Sequence, residues 1–124
     1  MRARELMTQD FETVSGTATV REAIEIMRER QKRCLIVQPR DKYDAHGIIT
    51  DRDVVYKVVA TGGNPDLALV HQVMTKPLVT IDPSLEVKYI ARLLAANRIS
   101  RAPVVEVGKV IGIISIGDIL RRGI

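Results

Sequence analysis

The chain is written twice. Met7-Thr8 recurs as Met74-Thr75, 67 positions later. At that offset Thr13 meets Thr80, Val14 meets Ile81, Val20 meets Val87, Met27 meets Leu94 and Val37 meets Val104. The offset then falls to 65, because the loop at 39–45 makes the first copy two residues longer. Beyond it Gly47-Ile48-Ile49-Thr50 meets Gly112-Ile113-Ile114-Ser115, and Asp53 meets Asp118. The breaker cluster Gly62-Gly63-Asn64-Pro65 joins the copies, giving repeats at 1–62 and 63–124. A unit of roughly 55 residues buries little by itself, so the pair is expected to fold as one, with a shared core.

Both copies have the same local pattern. Val20, Ala23, Ile24 and Met27 follow the i, i+3, i+4, i+7 spacing of an amphipathic helix, as do Val87, Ile90, Ala91 and Leu94. Thr19 with Glu22 predicts a capping-box start for the first helix, and Ser84 after Pro83 is the expected cap of the second. Two short apolar runs follow each helix: 34–37 and 47–49 in copy one, 102–105 and 110–114 in copy two. Short β-branched runs bounded by turn residues predict buried strands. A closing helix is expected from 51 to about 61, and again from about 116 to 122. Each copy thus reads strand, helix, strand, strand, helix, which is an α/β pattern.

Composition narrows the function classes. Aromatics are 3% of the 124 residues, namely Phe11, Tyr43, Tyr56 and Tyr89, so the core is aliphatic. A surface that stacks bases on aromatic rings is disfavoured. Nineteen Lys and Arg against fifteen Asp and Glu give a net charge of +4, a mild lean toward anionic partners. The single Cys34 excludes an intrachain disulfide and fits a cytoplasmic home. No apolar run approaches the roughly 18 residues of a membrane span, and no signal-peptide pattern is visible. His46 and His71 have no partner at metal-ligand spacing. No nucleophile–base arrangement, Walker-type loop or GxGxxG is present, so no enzyme is expected.

The most informative segments are Gly47-Ile48-Ile49-Thr50-Asp51-Arg52-Asp53 and Gly112-Ile113-Ile114-Ser115-Ile116-Gly117-Asp118. Each is a strand ending in a hydroxyl residue, with a carboxylate three positions on, in the first turn of a helix. Two readings stand side by side. Hydroxyl and carboxylate can satisfy the helix start as a capping box. Alternatively the helix N-terminus and hydroxyl suit a phosphate, and the carboxylate suits a ribose diol.

These segments, the Met-Thr openings, the two amphipathic helices and Ile99-Ser100-Arg101-Ala102-Pro103-Val104-Val105 resemble the tandem cystathionine-β-synthase (CBS) domain pair, or Bateman module, from about residue 6 to 120. The resemblance implies two βαββα repeats packed through their sheets with pseudo-twofold symmetry, commonly as a homodimer. It implies two clefts for AMP, ADP, ATP, S-adenosylmethionine or NAD, with a regulatory output read by an effector protein. Carried over, one cleft would use Thr50 and Asp53 with Pro77, Ile99 and Ser100, where Asp53 holds the ribose and Ile99 packs on the base. The other would use Ser115 and Asp118 with Asp10, Lys32 and Arg33. Lys32-Arg33 departs from the apolar-then-small pattern of the family, and Arg52 stands where copy two has Gly117. The clefts are therefore expected to differ, with Thr50/Asp53 the better adenosine site. Two alternatives remain: a structural dimerisation module with degenerate clefts, and a nucleic-acid-binding protein using its basic surface. The latter is disfavoured by the modest charge and few aromatics.

Overall fold

The computed structural model describes residues 1–77 and 79–124. In chain order its elements are α1 (Ala3–Leu6), β1 (Thr13–Val14), α2 (Val20–Arg30), β2 (Cys34–Val37), β3 (Gly47–Thr50), α3 (Asp51–Val54), a π-helical turn (Val55–Val59), α4 (Val70–Val73), α5 (Val87–Asn97), β4 (Arg101–Glu106), β5 (Lys109–Ser115) and α6 (Ile116–Arg122). The architecture is α/β, as the alternation of patterns predicts.

The chain divides into two compact units. One is Glu12–Lys76; the other joins Met1–Phe11 to Pro77–Ile124. These units cut the chain differently from the repeat at 62/63. The opening turn of each copy folds with the body of the other copy.

In the unit 12–76, β1 runs parallel to β2, and β2 antiparallel to β3 with Cys34 opposite Thr50. α2 starts as predicted: the Thr19 hydroxyl accepts from the Glu22 N–H. Its apolar stripe, Val20, Ala23 and Met27, meets Leu35, Val37 and Ile49 of the sheet in one aliphatic core. Val70 and Val73 of α4 complete that core. The Val70 N–H donates to the Ala18 carbonyl, and the Val20 N–H to the Ala68 carbonyl. Full burial of each such side chain contributes about 1.5–3 kcal/mol.

The other unit repeats the plan with α1 in the place of α4. Ala3 and Leu6 pack with Ile81, Ile90, Leu94, Val104 and Ile114. The Ala3 N–H donates to the Leu85 carbonyl, and the Val87 N–H to the Met1 carbonyl. β4 and β5 pair antiparallel with Arg101 opposite Ser115. The opening strand of this copy shrinks to a single parallel bridge, Ile81 with Val104.

Three local expectations are corrected. Ser84 does not cap α5; its hydroxyl and N–H both donate to Asp82 Oδ1 (2.6 and 2.8 Å). Those two bonds hold the Asp82 carboxyl below its ordinary range, the hydroxyl contributing most. The helix starts later, behind Glu86, which makes no side-chain cap. The closing helix of copy one is α-helical only through Val54 and continues as the π-helical turn. Cys34, expected in the core, is half-buried.

Candidate functional site

In both copies a β-strand delivers a hydroxyl residue to the start of a helix. Thr50 ends β3 and Ser115 ends β5, each with extended backbone. The Asp53 N–H donates to Thr50 Oγ1 (3.0 Å), and the Thr50 N–H to Asp53 Oδ2 (3.0 Å). The Asp118 N–H donates to Ser115 Oγ (3.1 Å), and the Ser115 N–H to Asp118 Oδ2 (2.9 Å). The capping reading is therefore real in both units.

Capping uses only one carboxylate oxygen. The other, Oδ1, gathers polar groups from elsewhere in its unit. Asp53 Oδ1 accepts from the Thr75 hydroxyl (3.3 Å) and pairs with Lys57 Nζ (3.0 Å). Asp118 Oδ1 accepts from the Thr8 hydroxyl (3.2 Å) and pairs with Arg122 (3.2 Å) and Arg121 (3.4 Å). Both acids are buried, the only charged residues among those described that are. A buried carboxylate is costly without such partners.

The two sites are not copies. The Ser115 hydroxyl also donates to Asp118 Oδ2 (3.0 Å), whereas Thr50 makes no such bond among the described residues. One ammonium holds Asp53, and two guanidinium groups hold Asp118. Asp53 is also the more exposed, 9% against 4%.

The remaining expected residues fall as follows. The carbonyl of Arg33 accepts from the Asp51 N–H (2.8 Å), and that of Ser100 from the Ile116 N–H (2.9 Å). Each residue that precedes the Pro-Val-type strand thus lies beside the hydroxyl residue of its own unit. The antiparallel register accounts for these contacts: residues before β2 and β4 face the ends of β3 and β5. Ile99 is half-buried against the core of the second unit. Asp10, exposed, and Pro77, half-buried, belong to that unit as well. Lys32 is half-buried, following Gln31 in left-handed conformation at the end of α2. Arg52 lies over the Tyr56 ring (5.9 Å).

Thr8, Thr75, Lys57 and Arg122 were not singled out from the sequence as partners of the acids. The signal was present. Met-Thr opens both copies, and a cation stands four residues after each Asp, the spacing of a helical ion pair. The methionines act as plugs: a Cβ on Gly112 would meet Met7 Sδ at 2.7 Å, and one on Gly47 would meet Met74 Sδ at 2.5 Å. Among the described residues no group of three or more His, Cys, Asp or Glu is placed to hold a metal ion, and no helix is long and apolar enough to cross a membrane.

Fold and site define a tandem βαββα protein with one hydroxyl–carboxylate helix start per unit. The sequence matches the CBS domain family over residues 3–60 and 70–124, and the chain belongs to that family. It is 47% identical to a hexameric CBS-CP12 protein from bloom-forming cyanobacteria, with a TM-score of 0.94 over 98% of this chain and 67% of that one. It is 36% identical to an uncharacterized protein of Methanopyrus kandleri, over 94% of this chain and 60% of that protein. A CBS domain protein from Pyrobaculum aerophilum, solved in complex with AMP, shares the fold: TM-score 0.83, 22% identity, 96% of this chain and 90% of that one.

Proposed function

We propose that the chain is a non-enzymatic regulatory module that binds an adenine nucleotide or related adenosyl ligand. AMP, ADP, ATP, S-adenosylmethionine and NAD are the ligand class. The observation that carries this is the pair Thr50–Asp53: a buried carboxylate beside a capping hydroxyl whose own proton has no acceptor among the described residues. Such a carboxylate accepts from a ribose diol, and the hydroxyl donates to a ribose or phosphate oxygen. The AMP held by the Pyrobaculum aerophilum protein supports the ligand class. Ile99, Ser100, Pro77, Asp10, Lys32, Arg33, Arg52, Ser115 and Asp118 complete the proposed binding residues, with Thr50/Asp53 the stronger site. Ligand binding would favour one arrangement of the molecule, which an effector protein reads in the cytoplasm. Self-association, at least to a homodimer, is part of this reading. It is supported by the hexamer that the cyanobacterial protein forms and by the exposed apolar residues Val55, Val59, Ile116 and Leu120.

A second reading is a structural module. The complete capping boxes favour it, since they employ both acids without any ligand. Thermal-shift screening with the five ligands and a short oligonucleotide separates the readings. At 100 times its dissociation constant a ligand adds about 2.7 kcal/mol, a rise in melting temperature of about 10 °C. A shift with an adenosyl ligand and none with the oligonucleotide supports the sensor. No shift at millimolar concentration favours the structural module.

A further inference from the structure

Each buried acid is tied to the opening turn by a cation, and the tie is made the same way in both units. Lys57 Nζ pairs with Asp53 Oδ1 (3.0 Å) and donates to the Val73 carbonyl (2.9 Å) and to Thr75 Oγ1 (3.2 Å). Those three acceptors consume the three donors of an ammonium. Arg122 pairs with Asp118 Oδ1 (3.2 Å) and donates to the Leu6 carbonyl. Lys57 and Arg122 stand 65 positions apart, the offset of the copies' later halves; Val73 and Leu6 stand 67 apart, the offset of the openings. An ammonium in one unit and a guanidinium in the other therefore do one job. Val73 and Leu6 end α4 and α1, where helix carbonyls lack an intrahelical donor and favour positive charge. The turns so held, 70–75 and 3–8, precede the two points where the chain passes from one compact unit into the other, at 76/77 and 11/12.

A ribose diol and this tie compete for the same oxygen. Oδ2 is committed to the cap in both units. A diol that takes both carboxylate oxygens competes with the threonine hydroxyl and the cation at Oδ1. We propose that the Asp53–Lys57–Val73 and Asp118–Arg122–Leu6 contacts are clasps that a diol-bearing ligand opens. Occupancy of the acid is thereby converted into loosening of the opening turn. This rests on the adenosyl-ligand reading above. The clasp on Asp118 has a second guanidinium and opens at higher ligand concentration than the clasp on Asp53. Lys57 and Arg122 are positioning residues in this account.

The test is amide hydrogen exchange on the full chain with and without AMP, alongside calorimetry of AMP binding. The Thr75 N–H, bonded to the Ile48 carbonyl, and the Met74 N–H, bonded to the Val70 carbonyl, report the first clasp. Saturating AMP should accelerate their exchange by up to about fivefold, the range of one partly exposed ion pair. Exchange at the β2–β3 pairing should slow. In Lys57→Met these amides should exchange faster before AMP is added and gain nothing from it, while AMP binds up to about fivefold tighter because no clasp is opened. AMP binding with unchanged or slowed exchange at Met74 and Thr75 overturns the clasp and leaves the ligand reading standing. Weaker AMP binding by Lys57→Met also overturns it, making Lys57 a direct ligand contact. No calorimetric binding of AMP removes the clasp and its parent reading for this ligand together.

Discussion

Asp53 and Asp118 each serve a helix start with one oxygen and the opening turn with the other. The proposed binding role is therefore compatible with a structural one at these residues, and stability must be measured apart from binding. Asp118→Ala removes the carboxylate half of the capping box and leaves the half-buried Ser115 N–H and the exposed Thr8 hydroxyl without their acceptor, while the Asp118 N–H keeps the Ser115 hydroxyl. An orphaned polar group costs about 1–3 kcal/mol, and less where water reaches it. Urea unfolding should therefore show a loss of about 1–3 kcal/mol for Asp118→Ala. Asp118→Asn, which retains an acceptor, should lose less than half as much; equal losses would mean that the ion pairs, not the cap, hold the site. The hydroxyl–carboxylate spacing was legible because capping is local, within four residues. The partners of Oδ1 were not, because Thr8 lies 110 positions from Asp118 and Thr75 lies 22 from Asp53. The repeated Met-Thr marked the threonines without saying what they touch, whereas the cation four residues on points to its acid directly.

Elements with their own period were the legible ones. α2 and α5 stand where their apolar spacing puts them, and the strand runs pair as neighbouring hairpins. The four-residue openings α1 and α4 have no period, and their placement rests on distant partners such as the Leu85 carbonyl for Ala3. Sequence alone gives no account of such pairing. The Ser84 cap failed for a related reason: Asp82, two residues before, outcompetes the helix N-termini for the hydroxyl. The Gly in each Gly-h-h-Thr/Ser segment has a packing role. It makes room for the methionine that opens the other copy, as Gly112 does for Met7. Gly112→Ala should cost about 1–3 kcal/mol by overpacking. In combination with Met7→Ala the cost should be less than the sum of the two single changes, since the clash is gone. Additive losses in a double-mutant cycle by urea unfolding would place the Gly112 strain elsewhere.

At the scale of the molecule, the repeat explains why so small a chain folds. Neither copy is closed by its own opening turn; residues 1–11 complete the unit built from 77–124, and 68–76 complete the unit built from the first copy. The same duplication gives two sites with one plan and different fittings. Among the described residues Thr50/Asp53 has the hydroxyl that does not donate to its acid, the single cation and the greater exposure, all of which favour ligand entry there. The low aromatic content fits such a site, since a base would rest on aliphatic side chains. The most direct measurement of the central claim is calorimetric titration of AMP into the wild-type chain and Asp53→Asn. The account predicts saturable binding to the wild type, weakened at least about tenfold by Asp53→Asn, the range for removing a charged hydrogen-bond acceptor. Binding that Asp53→Asn leaves unchanged, in a variant shown by urea unfolding to be folded, would contradict the claim that this carboxylate holds the ligand.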